Sequence, residues 1–128
     1  MERITISSSL KHKELIRGAI TQLGEIGVEG VFPNLDSGVA KEDVTLEFMK
    51  DLESDHFQAI ESSQALYVIC PDGYVGTLVS VEIGYAKKAG KRIIFSETPE
   101  DLGLQALSDG IVSLEELEMF KEMQLGEE

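Results

Sequence analysis

Apolar positions along the chain follow two different periods, and the two periods alternate in a regular order. Short segments with a strand-like pattern recur along the sequence: residues 3–7, 28–32, 65–70, 92–95 and 110–112. The third segment is almost continuously apolar, as a central strand of a parallel sheet is expected to be. The pattern therefore predicts five strands.

Helical periodicity fills the first two intervals between these strands. The first helical segment ends at Gly27, and its apolar stripe consists of Leu15, Ile16, Ala19, Ile20, Leu23 and Ile26. The second covers residues from about 40 to 62. We predict that it breaks near Ser54–Asp55, because Asp55 and Gln58 have the spacing of a capping box.

Three further helical segments follow the third strand. One begins after the loop 71–77 and ends at Gly90, a residue type that commonly follows a helix. A short helix is predicted after Pro99. The last helix has an apolar face formed by Leu114, Leu117 and Phe120.

Strands that alternate with helices imply right-handed crossovers and a parallel sheet covered on both faces. The sequence thus predicts an α/β fold: a single domain over residues 1–128 with a flavodoxin-like, doubly wound, five-stranded parallel sheet and helices on both faces. In such sheets ligands bind beyond the carboxyl ends of the strands, where the strand order reverses. The loops predicted at that edge are residues 7–9, 33–36, 71–77 and 96–98.

Charge narrows the range of ligands. The chain has 24 acidic and 11 basic residues and a formal net charge of −13. A nucleic-acid polymer is an unsuitable partner, because affinity for its backbone comes from lysine and arginine. A small anionic ligand is compatible with this charge, since backbone N–H groups at a helix N-terminus can hold phosphate locally.

Composition also bears on location. No apolar run approaches the roughly 20 residues of a membrane span, so we expect no membrane partner. A strand-like pattern begins at Arg3, so we expect no signal peptide. The lone Cys70 lies within an apolar run and is interpreted as a buried core residue, the alternative being a catalytic thiol. These features favour the cytoplasm.

One carboxylate stands out by its position. On a helix, Glu82 has apolar neighbours three and four residues away: Leu78, Val79, Tyr85 and Ala86. A carboxylate buried in such a stripe is destabilising by several kcal/mol unless it is paired or serves a function. The alternatives are a glutamate that reaches solvent or pairs with a lysine or arginine, and a nucleophile for an electron-poor sugar carbon. Gly84 suggests that a ligand or another chain segment passes close to this helix.

The loops before this helix and after the first strand are candidate binding elements. Gly73 and Gly76 permit close backbone approach and positive φ. Thr77 is predicted to cap the helix and leave its first N–H groups facing a ligand. The segment Ser7–Ser9 is interpreted either as a phosphate- or sugar-binding loop or as an ordinary helix cap, and the two roles are compatible.

These residues form a pattern that resembles a known family. The pattern D-G-Y-V-G-T-x-x-S-V-E-I-G-Y-A-x-x-x-G-K (72–91) follows a strand that ends in Y-V-I-C-P. With I-T-I-S-S-S (4–9) and F-P-N-L-D (32–36), it resembles the nucleoside 2-deoxyribosyltransferase-like proteins, which include deoxynucleoside 5′-monophosphate N-glycosidases. The resemblance covers most of the chain, and E-I-G-Y-A is its most specific part.

The resemblance implies roles for particular residues. Glu82 would attack the anomeric carbon of a deoxyribose and release the base, and water or a second base would then resolve the glycosyl-enzyme, as in two-step retaining chemistry. The implied sugar or phosphate site contains Ser7, Ser8, Ser9, Asp36, Gly73, Gly76, Thr77 and Ser80.

Two positions depart from the family pattern. The family's aspartate six residues before the glutamate is replaced by Gly76, and Asp72 is the candidate catalytic substitute. Where many relatives have an acidic residue on the preceding helix, this chain has His56, which is either a packed core histidine or an acid/base.

The sequence leaves more than one function open. The first is cleavage or exchange of the N-glycosidic bond of a deoxynucleoside or its 5′-monophosphate, and the alternative is a non-catalytic nucleotide-binding sensor. A flavodoxin-like electron carrier is disfavoured because the chain has no tryptophan to stack on a flavin. A response-regulator receiver is disfavoured because the first strand ends in serines and lacks an acidic pair. We predict a small-molecule nucleoside or nucleotide as the partner, no cofactor, no metal site, and assembly as a homodimer or higher homo-oligomer.

Overall fold

The structure is a computed structural model that describes residues 2–35 and 43–123. Its sheet contains five strands, all paired in parallel, in the order β2-β1-β3-β4-β5. The strands are β1 (Arg3–Ser7), β2 (Glu29–Val31), β3 (Ala65–Val68), β4 (Arg92–Phe95) and β5 (Gly110–Ile111). The predicted α/β fold with a five-stranded parallel sheet is confirmed.

Helices cover both faces of this sheet, as predicted. They are α1 (Lys13–Glu25), α2 (Leu46–Glu61), α3 (Thr77–Lys88), α4 (Leu102–Ala106) and α5 (Met119–Glu122). One apolar cluster joins the sheet to α1 and the C-terminal segment through residues such as Ile16, Leu23 and Phe120. The other joins it to α2 and α3 through Ile60 and Ile83. The helix carrying Glu82 therefore lies on the same face as α2.

The predicted break in the second helical segment is wrong. Helix α2 runs without interruption from Leu46 to Glu61, and its cap is Thr45, whose side chain accepts a hydrogen bond from the backbone N–H of Phe48 at 3.1 Å. Asp55 is not a cap but accepts a hydrogen bond from the Asn34 side chain at 2.8 Å. The helix continues because its buried face continues through this point, from Leu52 to Ile60.

Strands two, three and five are shorter than predicted. Ile69 and Cys70 are buried as the apolar run indicates, but they lie beyond the end of β3. The backbone N–H of Cys70 donates to the Ser96 hydroxyl at 2.9 Å, and the chain then turns through Pro71–Gly73. Apolar character reports burial, whereas strand limits depend on where ladder hydrogen bonds stop.

The topology fixes where a ligand site can form. Strand β1 lies between β2 and β3. The chain adds β2 on one side of β1 and the later strands on the other, so the strand order reverses at β1. A crevice therefore forms beyond the carboxyl ends of β1 and β3. No helix within residues 2–35 or 43–123 is long and apolar enough to cross a membrane.

Candidate active site

A cavity of about 380 Å³ lies at the predicted crevice. Its walls come from the segment after β1, from α2, and from the beginning of α3. Most of its lining is apolar, and the lining side chains that can hydrogen-bond or ionise include Glu53, His56 and Glu82. The arrangement is an apolar pocket with a few convergent polar groups, as expected for a small-molecule site.

Glu82 lies at this cavity and is 4% exposed. Val79 and Ala86 of the predicted apolar stripe are buried beside it, together with Ile83. Leu78 and Tyr85 of that stripe are not buried, and Leu78 is 42% exposed. The Ser7 hydroxyl donates a hydrogen bond to Oε1 of Glu82. No lysine or arginine in the described part of the chain pairs with Glu82, so the alternative of a solvated or ion-paired glutamate does not describe it.

A second carboxyl group, that of Glu53 on α2, meets Glu82 in the cavity. The two side chains line the same cavity within hydrogen-bonding reach of each other. Burial, followed by the charge of Glu82 and a hydrogen bond with it, raises the pKa of Glu53 to about 7, against an opposing effect of His56. Burial also raises the pKa of Glu82, but the hydrogen bonds from Ser7 and Glu53 favour its charged form. Burial and proximity therefore favour a protonated carboxyl group in this pair.

His56 lies one helical turn after Glu53 and is 2% exposed. Its Nε2 is 3.2 Å from the backbone oxygen of Ile6 and 3.9 Å from Oε1 of Glu82, and its ring meets the edge of Phe32 with centroids 4.7 Å apart. Burial lowers the pKa of His56, so the neutral ring is favoured. His56 is thus both a packed core residue and a polar wall of the cavity.

The loop before α3 contributes only its second half to the cavity. Gly76 and Thr77 line it. Thr77 is the first residue of α3 rather than its cap, and Gly76 at the cap position supplies no side chain, so the predicted capping by Thr77 is wrong. Asp72 is exposed and does not line the cavity. Gly73 is buried away from the cavity, where a Cβ would lie 2.9 Å from the backbone oxygen of Thr98.

The serines have separate partners. Ser7 contacts Glu82, while Ser8 and Ser9 line the cavity. Ser8 donates to the backbone oxygen of Ile69 at 2.8 Å, and Ser9 accepts from the backbone N–H of Lys11 at 3.3 Å, which caps a short turn. Ser80 donates to the backbone oxygen of Gly76 at 2.9 Å and does not line the cavity.

Two further predictions concern Asp36 and Gly84. Asp36 lies outside the described residues. Gly84 is exposed on α3, and a Cβ at this position would meet nothing within 4 Å among the described residues. The expectation that another segment of this chain passes close to Gly84 is therefore wrong for the described ranges.

Sequence reasoning missed Glu53, although its signal was present. Met49, Leu52, Glu53 and His56 have the spacing i, i+3, i+4 and i+7, which places them on one helix face, and all four line the cavity. The same rule identified Glu82.

The fold and cavity define an α/β protein with a pair of carboxyl groups at the strand-order reversal. Solved structures with this fold include a 2-deoxyribosyltransferase from Bacillus psychrosaccharolyticus, with a TM-score of 0.72, 15% sequence identity, and coverage of 91% of this chain and 90% of that chain. A CMP N-glycosidase from Clostridium botulinum has a TM-score of 0.58 and 20% identity, and the match covers 94% of this chain and 98% of that chain. A conserved protein from Enterococcus faecalis V583 has a TM-score of 0.61 and 15% identity, with coverage of 94% and 99%.

These similarities confirm the predicted α/β fold over most of the chain. At 15–20% identity they show a shared fold. The sequence matches no family model, and no curated protein matches it.

Proposed function

We propose that this protein belongs to the nucleoside 2-deoxyribosyltransferase-like family and cleaves or exchanges the N-glycosidic bond of a deoxynucleoside or deoxynucleoside 5′-monophosphate. The observation that carries the proposal is Glu82, a buried carboxylate at the foot of an apolar cavity, held by a hydroxyl and a second carboxyl group. The fold shared with a 2-deoxyribosyltransferase and a CMP N-glycosidase supports a nucleoside or nucleotide as the substrate.

The cavity suits the first chemical step. Its volume of about 380 Å³ falls within the range of small-ligand sites, and its apolar walls suit a planar base. A carboxylate shielded from water is a stronger nucleophile than one in solvent. In the proposed reaction Glu82 bonds to the anomeric carbon, the base departs with the bonding electron pair, and a glycosyl-enzyme forms.

The second step regenerates Glu82. Water or a second base bonds to the anomeric carbon and loses a proton to the departed base or to solvent, and the bond between that carbon and Glu82 breaks. Because Ser7 donates to Oε1 of Glu82, its hydroxyl stabilises the carboxylate that reappears as the leaving group.

A direct assay tests the proposal. The protein is incubated with each deoxynucleoside and each deoxynucleoside 5′-monophosphate, and release of free base is measured beside the variants Glu82→Gln and Glu97→Gln. Glu97 is an exposed glutamate and serves as the control. We expect base release that Glu82→Gln lowers by several orders of magnitude and Glu97→Gln leaves unchanged.

Two results would contradict the assignment. If the Glu82→Gln variant still releases base like the unsubstituted protein, Glu82 is not the nucleophile. Saturable binding of a nucleotide without release, by the unsubstituted protein and the variant alike, favours the non-catalytic sensor instead. Mass spectrometry of the acid-quenched protein adds a direct check, because a glycosyl-enzyme increases the protein mass by one sugar unit.

The proposal extends to assembly as a homodimer or higher homo-oligomer. Large apolar side chains are exposed at the cavity mouth and beside it: Tyr74 is 59% exposed, Leu78 42% and Val81 49%. Such residues close together on a surface suit a protein interface. Light scattering at micromolar concentration should give a multiple of the chain mass, and a monomeric mass would contradict this part of the proposal.

A further inference from the structure

The contact between Glu53 and Glu82 requires a proton. Two carboxylates repel each other, so two carboxyl groups hydrogen-bond only when one of them is protonated. Oε1 of Glu53 is buried, and no N–H or O–H group of the described residues donates to it. The carboxyl group of Glu82 lines the same cavity and lies within hydrogen-bonding reach of Glu53.

The surroundings assign this proton to Glu53 rather than to Glu82. Glu82 already accepts a hydrogen bond from Ser7, which favours its charged form. Glu53 has no such donor in the described ranges. Glu82 is therefore a carboxylate that receives two hydrogen bonds, one from a hydroxyl and one from a protonated carboxyl group.

No other ionisable side chain of the described residues at the cavity would neutralise the charge of an ionised Glu53. The further ionisable side chains of the described residues that line it are His56 from α2, Lys11 from the segment after β1, and Tyr74 from the loop before α3. His56 is directed to the backbone oxygen of Ile6, and burial favours its neutral form. The Lys11 ammonium lies 5.5 Å from the centroid of the Tyr74 ring. Ionisation of Glu53 would therefore place two negative charges together with no cation between them.

We propose that Glu53 is a positioning residue whose proton holds Glu82 in place for attack, and that loss of this proton switches the reaction off at alkaline pH. The inference rests on the proposed function. Below the pH at which this proton is lost, the protonated carboxyl group of Glu53 donates a hydrogen bond to Glu82 and orients it. Above it, the hydrogen bond is replaced by repulsion between two carboxylates, and Glu82 moves away from the position of the anomeric carbon.

Glutamine at position 53 separates this role from others, because an amide keeps the donor and cannot lose its proton in this pH range. The dependence of kcat/KM on pH is measured for the unsubstituted protein, Glu53→Gln and Glu53→Leu. The unsubstituted protein should lose activity above about pH 7, while Glu53→Gln should keep its activity near neutral pH and lack this alkaline decline. At about pH 8 the advantage of Glu53→Gln should be about tenfold. Glu53→Leu, which has no donor, should have low activity at every pH.

Two outcomes of this experiment would contradict the role of the Glu53 proton. A Glu53→Gln protein with the same alkaline decline overturns the inference. So does a folded Glu53→Gln protein without activity at any pH, since that result would make Glu53 itself the proton donor of the reaction.

A measurement without substrate keeps the inference separate from the proposed function. Carbon NMR of glutamate side-chain carboxyl groups, followed against pH, should show one apparent pKa near 7 in the unsubstituted protein and none in Glu53→Gln. If base release is absent but this titration is present, the proposed function fails and the shared proton stands. If neither variant nor parent shows such a titration, the switch is refuted whatever the activity.

Discussion

Replacing Glu53 by glutamine should stabilise the fold at alkaline pH and have little effect at acidic pH. Burial and the charge of Glu82 raise the pKa of Glu53 from the ordinary value of 4.5 to about 7. A carboxyl group whose pKa rises on folding contributes stability that is fully present below its unfolded pKa. That contribution is lost as the pH rises through the folded pKa. The unsubstituted protein thus becomes less stable between about pH 4.5 and pH 7, whereas the glutamine variant lacks this loss.

The magnitude follows from the two pKa values. At about 1.4 kcal/mol for each pKa unit, a rise from 4.5 to about 7 corresponds to at most about 3 kcal/mol. Glu53 is only half-buried, so solvent screens part of this free energy. We expect the free energy of unfolding of Glu53→Gln to exceed that of the unsubstituted protein by about 1–2 kcal/mol at pH 8, and by little at pH 5.

Urea unfolding at both pH values measures this difference. Comparing variant with parent at each pH removes the contribution of the other titrating groups, including those that produce the net charge of −13. Asp51→Asn is the matched control, because Asp51 is exposed on the same helix, and we expect no pH-dependent gain from it. Glu82→Gln relieves the same repulsion, so its stabilisation and that of Glu53→Gln should not add.

An equal stability difference between Glu53→Gln and the parent at pH 5 and pH 8 would refute the coupling between the Glu53 proton and folding. A uniform effect would mean that the substitution acts through packing or helix propensity rather than through a proton. If Glu53→Gln were more stable than the parent only at pH 5, the coupling would have the wrong sign. Glu53 would then bind its proton more weakly in the folded state than in the unfolded state.

Substitutions at four further residues test the local structure. Gly73→Ala should lower the free energy of unfolding by about 1–3 kcal/mol, because φ is +77° and a Cβ would lie 2.9 Å from a backbone oxygen. Gly84→Ala on the exposed side of α3 should raise it by about 0.5–1 kcal/mol, and thermal unfolding compares the two variants. Ser7→Ala removes a donor to the Glu82 carboxylate and so raises its pKa, which should move the acidic limb of the pH profile of base release to higher pH. Thr45→Ala should lower the free energy of unfolding by about 1 kcal/mol through loss of the α2 cap, and Thr45→Ser should restore most of it in urea unfolding.

Much of the fold could be predicted because it depends on periodicity. The strands Arg3–Ser7 and Arg92–Phe95 were predicted to the residue, and the burial of Glu82 followed from its helical neighbours. Segment limits were less predictable. Beyond the end of β3 at Val68 the side chains of Ile69 and Cys70 remain buried, so hydrophobicity continues past the strand.

The part of the site that could not be predicted depends on contacts between distant segments. A capping-box spacing at Asp55 indicated a helix start, but packing of the continuous α2 face outweighs that local preference. The proximity of Glu53 to Glu82 depends on how α2 and α3 meet, which no local pattern specifies. In the same way, sequence spacing offered Asp72 as the second acidic group, yet the turn at Pro71–Gly73 leaves it exposed.

The meeting of the two carboxyl groups follows from the topology. Helix α2 leads into β3 and α3 leaves it, so both pack on one face of the sheet, and both begin at the carboxyl edge of the strands. Glu53 and Glu82 each lie within about two turns of the start of their helix, which brings them to the same depth below the crevice. A pair of apolar residues at these positions would be as stable or more stable. The fold holds two carboxyl groups here at the expense of stability, with a hydroxyl directed at one of them, and this arrangement supports the proposed role of Glu82 as the nucleophile.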